Sequence, residues 1–91
     1  MIDEDGNILE LTIWRVPVSI RTPLGVRYRL AFVRHSEMTP AVLYDNHAPK
    51  GPHRHVGETE EAYTFVDVDE LLIDFIADVR RMTGGGRWPR R

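Results

Sequence analysis

The chain has 91 residues, enough for one modest core and too few for a second domain. Its 42% apolar and 29% charged residues are the proportions of an ordinary globular protein, which argues against disorder and against a membrane-embedded chain. It has no cysteine, which excludes disulfides, thiolate zinc sites and thiol nucleophiles together, and its net charge of −2 argues against a general nucleic-acid binder.

The first five residues, Met1-Ile2-Asp3-Glu4-Asp5, are acidic where a secretory leader needs a basic region. No apolar run approaches the roughly 18 residues of a membrane span. A cytoplasmic location with no membrane contact is therefore expected. Asn7 to Val16 reads as a strand, since Leu9, Leu11 and Ile13 alternate with Glu10, Thr12 and Trp14 before Pro17 ends the run. Thr22-Pro23-Leu24-Gly25 has the composition of a hairpin connection.

Val26 to His35 is the clearest strand, with Val26, Tyr28, Leu30 and Phe32 on one face and Arg27, Arg29, Ala31 and Val33 on the other. Arg27 and Arg29 then project to the same side about 7 Å apart, close to the spacing of successive phosphates in a nucleic-acid strand. Arginines on an ordinary solvent-facing strand are the alternative. Ala41 to Tyr44 makes a third strand, which Asp45 and Asn46 end as turn formers. His53 to Val56 is a short extended segment and Ala62 to Phe65 a further strand.

A helix is expected from Val68 to Met82. Asp67 stands at its N-cap with Glu70 three residues on, and Leu71, Leu72, Phe75, Ile76 and Val79 recur at helical spacing. Acids fill its first turns, Arg80 and Arg81 its last, and the glycines from Gly84 stop it. The expected fold is α+β: a small antiparallel sheet of about four or five strands with one C-terminal helix on one face. One domain spans residues 1–83, followed by a basic tail over 84–91 in which Trp88 is able to dock on the sheet.

Charge is segregated along the chain. Between Leu11 and His55 seven basic residues face only Glu37 and Asp45, a local balance of +5, whereas Glu58 to Asp78 is acidic throughout with no Lys or Arg. The two segments are complementary, and a sheet face left basic would attract phosphate. Ordinary solvated charge on both segments is the competing explanation.

All four histidines lie between residues 35 and 55. If Pro52 to Val56 is extended, His53 and His55 point to one side about 7 Å apart and Arg54 to the other. Two imidazoles so placed can flank a phosphate, one taking a proton from an attacking hydroxyl and the other giving one to the leaving oxygen, since histidine has an unperturbed pKa of about 6.5. Lys50 or an arginine would stabilise the developing charge. In RNA the 2′-hydroxyl supplies the nucleophile, so such chemistry requires neither cysteine nor metal. A zinc site with Asp45 or His47 as further ligand remains open, as do histidines with no task.

Several stretches taken in order sharpen this reading: Tyr28-Arg29-Leu30-Ala31-Phe32-Val33, then Tyr44-Asp45-Asn46, Lys50-Gly51-Pro52-His53-Arg54-His55, Gly57, Tyr63-Thr64-Phe65 and the helix from Leu71 to Val79. Over about Ile8 to Met82 this combination resembles the TumE-type toxins of bacterial toxin–antitoxin pairs. The resemblance implies a toxin neutralised by a cognate antitoxin, commonly a helix-turn-helix DNA-binding protein. Members of that family often carry an acidic residue where this chain has Pro52, and many begin with a longer N-terminal strand.

The expectation is a metal-independent ribonuclease with no cofactor, in which His53, His55 and Lys50 are catalytic. Arg54, Arg27 and Arg29 contact RNA, with Tyr44, Asp45 and Asn46 in support. Tyr44 also suits a core position, Asp45 an Asx turn, and Tyr63 and Phe65 sheet packing. A non-catalytic binding module and a zinc-dependent hydrolase are the rivals. RNA and the antitoxin are the expected partners, and homodimerisation is left open.

Overall fold

The computed structural model describes residues 1–47 and 49–84. Five strands form one antiparallel sheet in chain order: β1 Ile8–Arg15, β2 Val26–Val33, β3 Val42–Asp45, β4 His53–Val56 and β5 Thr59–Ala62. One helix among the described residues, α1 Val68–Met82, follows. The α+β architecture is the one the hydrophobic periods imply. The basic tail and Trp88 lie outside the described residues beyond Gly84.

Alternation along the strands sorts the side chains onto two faces. Leu9, Tyr28, Leu30, Phe32, Val42 and Tyr44 are buried on one face, where they meet Leu71, Phe75 and Val79 of α1 in one core cluster. The aromatic rings interlock there: Tyr44 meets Tyr63 edge-on at 5.0 Å and Phe75 at 5.6 Å, and Tyr28 stacks on Phe65 at 5.7 Å. Among the described residues, no helix is laid over the other face.

The helix begins where capping chemistry places it. The Asp67 carboxylate accepts from the Glu70 backbone N–H at 2.8 Å, and acids in the first turn and arginines in the last complement its dipole. No helix is long and apolar enough to cross a membrane among the described residues.

The last strand differs from expectation. It occupies Thr59–Ala62 instead of Ala62 to Phe65, and all four of its residues are exposed. A tight turn at Gly57-Glu58, with Gly57 at φ 63°, folds this polar segment directly back on β4. Pairing thus overrides the low strand propensity of Thr-Glu-Glu-Ala, and Tyr63 and Phe65 serve the core from the connection that follows. The clear strand β2 also ends at Val33 instead of His35.

Candidate functional site

The candidate site is built on β4. This strand is paired on both sides, to β3 and to β5, which keeps it extended despite the prolines and glycines that precede it. His53 and His55 therefore share the face away from the helix. Their rings come together with centroids 5.4 Å apart and planes at 77°, and both side chains are partly exposed.

Each ring has a different neighbour. His53 Nδ1 lies 2.8 Å from the Gly51 carbonyl oxygen. Because a carbonyl only accepts, the proton of the neutral ring sits on Nδ1 and the lone pair is left on Nε2. His55 lies directly across from Glu60 in the β4–β5 register, with Nε2 3.5 Å from Glu60 Oε2. The Lys50 ammonium pairs with that same carboxylate oxygen and holds the Glu60 carboxyl below its usual range. Lys50, His53, His55 and Glu60 thus form one cluster, and the ligand atoms of His53, His55 and Glu60 lie within 4.8 Å of one another.

Arg54, between the two histidines, points the other way. Its guanidinium contacts Glu61 at 2.9 Å, the Tyr44 hydroxyl at 3.1 Å and Asp78 at 3.3 Å. Tyr44 donates to Asp78, which is 1% exposed and is approached by Arg81 from the next turn of α1. Burial pushes the Tyr44 hydroxyl above its ordinary pKa, and the Tyr44 contact raises that of Arg54. Arg54 ties the histidine-bearing strand to the helix through a satisfied polar network. Asp78 was not singled out in the sequence, where it reads as one more acid in an acidic run.

Asp45 and Asn46 organise the loop into the site. The Asp45 carboxylate accepts from the His47 backbone N–H at 2.6 Å, an Asx turn. The Asn46 side chain accepts from Tyr28 N–H at 3.0 Å and donates to the Val26 carbonyl at 2.8 Å, continuing the β2–β3 contact past the last paired residue. Tyr63 is nearly buried, with its hydroxyl donating to Asp74 at 2.5 Å.

Register carries the open face across the sheet. Arg29 lies opposite Asp45, which lies opposite His53, and Arg27 lies opposite Trp14. Arg29 is paired with Glu10 at 2.7 Å. Arg27 has no charged partner among the described residues, and Trp14 beside it is 46% exposed. Trp14 and Glu60 are further members of this face: alternation sets Trp14 away from the core but only pairing puts it beside Arg27, and Glu60 becomes visible once the two-residue turn fixes which residue opposes His55. The complementary charge of the two chain segments is realised in the Lys50–Glu60, Arg54–Glu61 and Arg54–Asp78 pairs.

No curated protein and no solved structure matches the chain. A family model described as Toxin TumE matches residues 3–83, nearly the whole chain and all of the site. The stretches Tyr44-Asp45-Asn46 and Lys50 to His55 lie inside that match, as do the sheet and the helix that position them. The chain therefore belongs to the TumE toxin family.

Proposed function

We propose that this toxin is a metal-independent endoribonuclease, with His53 as general base and His55 as general acid. The observation that carries the reading is the convergence of the two rings on the open face, 5.4 Å between centroids, with unlike neighbours. His53, with Nδ1 held by the Gly51 carbonyl, offers Nε2 to take the proton of a ribose 2′-hydroxyl. The oxygen attacks the adjacent phosphorus. His55, with Nε2 3.5 Å from the Glu60 carboxylate, gives a proton to the departing 5′-oxygen. The products are a 2′,3′-cyclic phosphate and a free 5′-hydroxyl. Lys50 lies within the same cluster, where its ammonium can stabilise charge on the phosphoryl oxygens. Arg27 and Arg29 lie along the open face where the RNA strand would continue. Arg54 supports the site from the opposite face by fixing the strand between its two histidines.

Replacing either histidine by alanine should lower cleavage by about 10²–10⁴. The roles separate on a substrate with a p-nitrophenolate leaving group, which departs without a proton: the His55→Ala variant keeps most of its activity there and His53→Ala does not. Undiminished RNA cleavage by the double variant refutes the proposal.

RNA binding without cleavage is the competing reading, favoured by the exposed Trp14 beside Arg27. Under it Arg27→Glu weakens binding in a salt-dependent way, the histidine variants bind and act as wild type, and RNA stays intact. Membership of a toxin family also implies an antitoxin. We place its gene next to this one, encoding a helix-turn-helix protein whose co-expression restores growth.

A further inference from the structure

We infer that His53, His55 and Glu60 also form a site for one divalent transition-metal ion of the zinc class. The three side chains project from the paired strands β4 and β5, with His55 directly opposite Glu60, and their ligand atoms lie within 4.8 Å of one another. A tetrahedral zinc ion with bonds of about 2.0–2.1 Å holds its ligands roughly 3.4 Å apart. Closing that gap, at most about 1.4 Å between two ligand atoms, takes side-chain rotation in the partly exposed histidines and the exposed Glu60, with the backbone already set by the strand pairing.

Two further features fit an ion there. The Gly51 carbonyl holds His53 Nδ1, the outer contact by which metal-binding histidines are commonly oriented, and leaves Nε2 for the ion. Two imidazole nitrogens and one carboxylate oxygen form a borderline donor set that favours zinc, nickel or copper over magnesium or calcium. Three protein ligands leave a fourth position for water or a phosphate oxygen. Among the described residues no other group of this kind occurs, and Asp45, which the sequence offered as a ligand, is engaged by the His47 backbone.

Lys50 opposes the ion. Its ammonium occupies Glu60 Oε2, so metal binding requires the exposed lysine to swing away. An ion bound here takes the His53 lone pair and excludes the proton from His55, and so blocks acid–base cleavage. That consequence rests on the proposed ribonuclease reading, whereas the binding itself does not.

Calorimetric titration of the full chain, freed of metal by chelator and dialysis, with zinc chloride should show one site that magnesium chloride does not fill. His53→Ala and Glu60→Gln should each weaken zinc binding by at least about tenfold. Lys50→Met should tighten it severalfold, a gain that no folding defect imitates. Wild type binding zinc no better than magnesium, or all three variants binding it as wild type does, overturns the site. RNA cleavage in the presence of chelator tests the ribonuclease reading separately: a silent protein refutes that reading and leaves the calorimetry standing. Cleavage that rises as zinc is added overturns the inhibitory effect.

Discussion

The two faces of the sheet put the same strand to different uses. On the helix side, Arg54 joins Tyr44, Asp78 and Glu61 in a network whose polar groups are all engaged, set among Leu30, Phe75 and Tyr63. On the open side, His53 and His55 are partly exposed, meet each other and make polar contacts to Gly51 and Glu60. Alternation along four residues separates an anchor from two partly exposed imidazoles. Period 2 therefore lets a short strand hold a site rigid from behind while leaving its front free for substrate.

Substitutions on the covered face should register as stability. Phe75→Ala opens a cavity in the centre of the core and should cost about 3–5 kcal/mol in urea denaturation; a loss below 1 kcal/mol means that the helix does not cover this face. Asp78→Ala leaves Tyr44 and Arg54 without their common partner and should cost about 1–3 kcal/mol. It should also reduce RNA cleavage by loosening β4, so unchanged activity would show that Arg54 does not position the histidines. Tyr28→Phe should have the smallest effect. The Tyr28 hydroxyl is buried, has no hydrogen-bond partner among the described residues, and is pushed up to about 12 by burial and by Asp45. Removing it should leave thermal stability unchanged or raise it by up to about 1 kcal/mol, whereas Tyr44→Phe, which loses the Asp78 contact, should lower it.

Much of this division is written in residue order. The helix Val68–Met82 and its Asp67 cap follow from helical spacing and end chemistry, which are local. The His53–His55 side of β4 likewise follows from alternation alone. Long-range terms hid the rest. Thr59–Ala62 has little strand propensity to show and becomes a strand through pairing to β4. Asp78 differs from its acidic neighbours by facing Tyr44 of the sheet from the helix, a contact 34 positions apart in the chain. Glu60 enters the site only once the turn register is known. Alternation sets Arg54 opposite the two histidines, but its engagement by three partners on the helix side is not legible in the sequence, which offered it as an RNA contact.

The chemistry proposed for the open face is tested most directly by incubating RNA with the toxin and reading the ends of any fragments. Purified protein in excess chelator should release fragments ending in 2′,3′-cyclic phosphate with 5′-hydroxyl partners, as attack by the ribose 2′-oxygen requires. Fragments carrying 3′-hydroxyl and 5′-phosphate ends, or RNA left whole by a folded and toxic protein, would contradict it.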